Sequence, residues 1–161
     1  MIIRLKKGIE KPSTLTCIRK DQSSTWSKLH KGTETHDLAH YAVEKIMGYT
    51  NAFYGILNEG YDIADFELPK NKRPEPLQPK NLHPSALQTE HIVNLLQVEF
   101  LNSGEDSNFI ASLRSILEDD SIPFPEDLDN NKLNQIRQLY SELLFKWGAL
   151  GDDEQLELRL F

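Results

Sequence analysis

A chain of 161 residues with 39% hydrophobic and 27% charged residues has the size and balance of one soluble globular domain, which excludes collagen-like, membrane-embedded and wholly disordered classes. Its one cysteine, Cys17, excludes an internal disulfide and any cysteine-based zinc site. The net charge of −7 is uneven: residues 1–80 carry 13 Lys/Arg against 10 Asp/Glu, residues 81–161 only 5 against 15.

An acidic second half repels nucleic acid, whose binding needs a face that neutralises several phosphates. The densest basic run, Lys70–Lys72–Arg73, lies among prolines with no interleaved aromatics for base stacking. We therefore expect no nucleic-acid partner. No apolar run approaches the length of a membrane span or a signal peptide, so the expectation is a cytoplasmic protein without a membrane partner.

Met1–Lys6, Thr14–Lys20 and Ser24–His30 read as strands, the last two joined as a hairpin through Asp21-Gln22-Ser23. Their many polar residues predict a sheet with one solvated face. From Thr33 the period changes to that of a helix, with Thr33 or Thr35 as its cap, apolar positions at Leu38, Ala39, Ala42, Val43, Ile46 and Met47, and an end near Gly48. Asn51–Asn58 reads as a short second helix with Gly60 as its C-cap. Tyr61–Leu68 alternates and is expected as a strand or an extended arm. Five of the eight prolines fall between Pro69 and Pro84, which predicts an extended connector over 69–84.

Pro84 then opens a helix closed by Gly104, and Asp106 or Ser107 opens another that Pro123 and Pro125 end. Leu133, Ile136, Tyr140, Leu143, Leu144 and Trp147 follow helical spacing over the last helix. Gln155–Phe161 alternates with Leu156, Leu158 and Leu160 on one face. That strand must join the N-terminal sheet to bury its leucines. The predicted fold is α+β: a small antiparallel sheet of N-terminal hairpin strands plus the C-terminal strand, packed against about five helices in one domain, 1–161.

One constellation has residue types and spacing that could carry chemistry. In His36-Asp37-Leu38-Ala39-His40-Tyr41-Ala42-Val43-Glu44 a turn of about 100° per residue stacks His36, His40 and Glu44 along one stripe. Both histidines then border the core, while Asp37 and Glu44 lean toward solvent. The string His36-Asp37-x-x-His40 is a variant of the zinc-protease motif H-E-x-x-H, in which two histidines one turn apart bind zinc and the acid between them is the general base. On that reading His36 and His40 are metal ligands, Asp37 is the base, and Glu44 or Glu59 is the third ligand. Glu59 lies 19 residues beyond His40, a spacing similar to that of the thermolysin-like class. Asp is one methylene shorter than the motif's Glu, and two-histidine matches are common by chance. The stronger reading of the sequence makes both histidines structural or hydrogen-bonding, with the metal site as the alternative.

The segment from His36 through Glu44, followed by Phe53, Gly55 and Gly60 and preceded by a hairpin with Arg19 and Asp21, resembles a family of small uncharacterised bacterial proteins with an HDLxH(Y/F)xVE helix. The resemblance spans residues 14–66 and implies a shared fold there and no activity. Gln22 stands where that family has glycine.

Cys17, beside Ile18 in a strand, is expected as a buried apolar residue rather than a nucleophile. Tyr49, Phe53, Tyr54, Tyr61 and Phe66 are expected in the core or as the wall of a pocket beside the histidine helix. Two functions follow: a non-enzymatic protein acting through binding or self-association as a homo-oligomer, with no cofactor, or a metal-dependent hydrolase with zinc or another divalent cation on the His36/His40 helix.

Overall fold

Alternation decides the sheet. In the computed structural model, which describes residues 1–102, 104, 106 and 108–161, β1 (Ile2–Lys6), β2 (Thr14–Ile18), β3 (Ser24–Lys28) and β4 (Gln155–Arg159) form one antiparallel sheet in the order β3-β2-β1-β4. Ile3 pairs with Cys17 and Leu158, and Leu5 with Leu15 and Leu156, so one face collects the apolar side chains. The other face is solvated and carries the Arg4–Glu157 ion pair at 3.0 Å and an exposed Trp26. The hairpin tip places Gln22 at φ 69°, the left-handed conformation that favours glycine.

Against the apolar face lies α1 (Thr33–Met47), which packs on α2 (Phe53–Asn58), α4 (Pro84–Leu101) and α6 (Asn130–Ala149). Eight consecutive residues of α1, Asp37 to Glu44, are buried. A helix enclosed on all sides cannot send its acids to solvent, so the expected outward lean of Asp37 and Glu44 does not occur. The N-cap of α1 is Gly32 rather than a threonine. The Thr33 and Thr35 hydroxyls instead donate to the His30 and Gly32 carbonyls.

Tyr61–Leu68 is not a strand. Residues Ile63–Glu67 form α3, held at its start by the Asp62 N–H donating to Asp65 Oδ2 at 2.9 Å. That local acid-to-backbone contact outweighs a weak alternation. α3 packs on β3, and the Ile63 N–H donates to Thr25 Oγ1. The proline-rich connector folds into three single 3₁₀ turns, Lys70–Lys72, Glu75–Leu77 and Pro79–Asn81, and sinks Leu77 to 1% exposure. Proline's fixed φ suits the first position of such turns, so the stretch is packed where an extended run was expected.

α2 ends at Asn58 with Glu59 as its C-cap in place of the expected Gly60, which follows at φ 117°. α4 stops at Leu101, before Gly104, and α5 (Phe109–Asp119) opens after Asn108, whose N–H donates to Asp106 Oδ1. Ser107, the other expected start, lies outside the described residues. Glu99 and Arg137 link α4 to α6 through two hydrogen bonds of 2.5 and 3.1 Å. Lys7 donates to the Trp147 and Gly148 carbonyls at the end of α6, a favourable place for a cation. A continuous core joins the sheet to α1, α4, α5 and α6. Among the described residues, no helix is long and apolar enough to cross a membrane.

Candidate metal centre

α1 and α4 run antiparallel: His36 faces Gln97, His40 faces Glu90, and Tyr49 faces Gln88. The two histidines stand one turn apart on α1, and Glu90 and Gln97 seven residues apart on α4, so each pair lines one stripe of its helix. Where the stripes meet, His36 Nε2 and His40 Nε2 are 3.1 Å apart. The Glu90 carboxylate lies 3.5 Å from His40 Nε2 and 3.9 Å from His36 Nε2. His36, His40 and Glu90 are the group of possible ligands found among the described residues.

The remaining imidazole nitrogens point at oxygens. His36 Nδ1 is 3.0 Å from Gln97 Oε1, and His40 Nδ1 is 3.6 Å from Glu44 Oε1. The first is a hydrogen bond; the second is too long for one and leaves His40 Nδ1 without a hydrogen-bond partner. Burial alone pushes His40 down, but the Glu44 and Glu90 carboxylates outweigh it and hold its imidazole up at about 10. His36 is lowered, first by burial and then by the charge on His40. Glu90 is held below the usual carboxylate range: burial opposes this, and His40 overcomes it.

The expected third ligands lie elsewhere. Glu44 has no exposure, and its two oxygens accept the Tyr54 and Gly55 backbone N–H groups at 3.1 Å. Glu59 caps the far end of α2 and lines a separate polar hollow with Arg19 and Asp21. Asp37, between the histidines, is turned into the core. Burial pushes its carboxyl up to about 7, and its Oδ2 has no hydrogen-bond partner. Cys17 is fully buried, which pushes its thiol up to about 12, far from the range of a nucleophile.

Glu90 is the link to open space. Its side chain is 51% exposed, against 3% for His40, and it lines a cavity of about 320 Å³ with Phe53, Phe66, Leu87, Lys70 and Arg73 among its walls. Phe53 packs on the His40 ring at 5.5 Å and on Phe66 at 5.2 Å. The aromatic-dense stretch thus serves both as core and as pocket wall. Sequence reasoning missed Glu90 because it lies 50 residues from His40 on another helix. Its one signal was a seven-residue spacing from Gln97. Comparison with known proteins gave no match: no family model fits the chain, and no curated protein or solved structure is significantly similar to it.

Proposed function

We propose that the chain is a metal-dependent hydrolase whose divalent cation, zinc by its ligand chemistry, is held by His36, His40 and Glu90. The observation that carries this reading is the convergence of two Nε2 atoms and one carboxylate while both Nδ1 atoms face an oxygen. Zinc–nitrogen bonds of about 2.1 Å at tetrahedral angles set two ligand nitrogens roughly 3.4 Å apart, close to the 3.1 Å between His36 and His40. Two imidazoles and a carboxylate suit zinc, and three protein ligands leave a fourth position for water or substrate. Zinc held there would supply Lewis acidity, lowering the pKa of a water to about 7 and polarising a carbonyl or phosphoryl oxygen.

The chain's own residues do the rest. Gln97 keeps the His36 proton on Nδ1 and so presents Nε2, as outer partners of metal-bound histidines do. Glu44 faces the equivalent edge of His40. Glu90 brings the negative charge and, being half exposed, joins the ligands to the cavity.

The second reading is a non-enzymatic protein acting through binding or self-association, and it has its own observation. Without metal, a His40 imidazolium donates to a neutral His36, which donates in turn to Gln97, so the cluster is nearly self-satisfied. Elemental analysis and zinc titration calorimetry of untagged protein separate the two. The expected result is near-stoichiometric zinc, lost in His40→Ala and Glu90→Ala and kept in Glu59→Ala, with hydrolysis of a p-nitrophenyl ester or phosphate following zinc content. Protein that takes up no zinc, manganese or iron, and melts identically with added zinc or chelator, overturns the hydrolase reading.

A further inference from the structure

We infer that the cavity beside Glu90 binds a small organic anion, its apolar body seated against Phe53, Phe66 and Leu87 and its carboxylate or phosphate drawn to Lys70 and Arg73. The inference deepens the hydrolase reading and rests on it for the ligand's reacting end, which Glu90 places beside the proposed metal. At about 320 Å³ the space lies at the small end of ligand cavities, roughly 300–1,000 Å³. Its walls are mainly aromatic and aliphatic, contributed by α2, α3, the 3₁₀ turns and the start of α4.

The charges in this lining set the sign of the ligand. Lys70 and Arg73 oppose one carboxylate, that of Glu90. A divalent cation held by neutral imidazoles and Glu90 would make the lining strongly positive, and a low-dielectric wall strengthens that field. Arg73 is fixed rather than mobile. Its Nε donates to the Leu68 carbonyl at 3.1 Å and its Nη2 to the Phe66 carbonyl at 2.5 Å, with the guanidinium 6.0 Å from the Phe66 ring. Nη1 stays uncommitted among the described residues, as does the Lys70 ammonium. A braced guanidinium with a free edge is a preorganised anion donor. The basic run that offers nucleic acid nothing thus finds a use once the proline-rich segment folds over α4.

The probes are benzoate and phenyl phosphate, with neutral benzyl alcohol as the control, titrated by calorimetry into zinc-loaded and metal-stripped protein. Both anions should bind the zinc-loaded protein and benzyl alcohol should bind far more weakly; the tighter of the two anions identifies the headgroup. Lys70→Gln, whose side chain braces nothing, should weaken anion binding about threefold to tenfold, and Leu87→Trp should abolish it by filling the space. If the stripped protein binds anions with the same dependence on Lys70 and Leu87 while zinc never binds, the hydrolase reading falls and the anion site stands. If zinc binds but the anions do not outcompete benzyl alcohol, or ignore both substitutions, the anion site is overturned and the metal site stands.

Discussion

Glu44 sets a carboxylate in the centre of the molecule and spends both oxygens on the first turn of α2. That helix begins after Ala52, a residue with no acceptor in its side chain, so its early N–H groups would otherwise be orphaned. α1 therefore caps α2 from outside. Gly55 belongs to the same joint, since a Cβ there would meet the Thr50 carbonyl oxygen at 2.0 Å. Removing the acid leaves two buried donors unpaired. Glu44→Ala should cost about 3–5 kcal/mol, whereas Glu59→Ala, on an exposed cap, should change stability by about 0.5 kcal/mol or less. Urea denaturation of the two variants checks this; equal midpoints would show that the α2 turn is held by something other than Glu44. In the sequence Glu44 looked like a ligand because a helical wheel reports angles on its own helix only. The wheel sees the stripe shared with His40, and it cannot see α2 waiting on the other side.

Among the elements, β4 carries the most exposed obligation. Among the described residues it pairs only with β1, along Ile2–Arg159 to Lys6–Gln155, and the leucines of this segment are unequal: Leu160, just past the strand, is buried while Leu156 and Leu158 are half-buried at the sheet edge. The Tyr41 hydroxyl on α1 also donates to the Arg159 carbonyl. Deleting Gln155–Phe161 removes roughly 1.5–3 kcal/mol for the buried leucine alone and opens the edge of β1, a template for aggregation. The shortened chain is expected to aggregate or to melt well below the full one. An unchanged melting curve from soluble protein would place the stabilising role of this strand elsewhere. The strand was legible because strict alternation has one reading. α3 was not, because Ile63 and Phe66, three residues apart, fit a helix as well as a ragged strand. The decisive contact, Asp62 with Asp65, is local but weakly marked in composition.

For the whole molecule, the order of elements and the sheet they close were readable, and the neighbours of each helix were not. The buried stripe of α6 and the alternating ends demand one shared core, which the continuous cluster from Ile3 to Trp147 supplies. Which helix meets which is set by packing across long separations, and so Glu90 stayed hidden until α1 and α4 were seen side by side. The sheet itself brings residues near 3 and near 158 together, a loop closure whose entropy must be met before the pairing returns anything. Since the Met1 nitrogen lies 2.6 Å from the Leu160 carbonyl, a short linker can join the ends. A circular permutant opened in the 3₁₀ segment and closed between Phe161 and Met1 should refold faster than the parent. Stopped-flow refolding checks it; equal rates would mean that the β1–β4 closure is complete only after the transition state.

The same sheet order has a consequence for the chain while it is being made. β1 leaves the ribosome before either of its partners, and one of the two is about 150 residues behind it. At roughly 5–20 residues per second that interval lasts about 8–30 s. Once β3 has followed, for about 6–25 s of that interval, a finished β1–β2–β3 meander presents an unsatisfied row of N–H and C=O groups beside Ile3 and Leu5. A nascent chain in that state has the edge that invites a neighbour on the same message to pair with it. Its yield in a cell is therefore expected to fall when translation of the acidic residues 81–161 is slowed, even though the stability of the finished fold is unchanged.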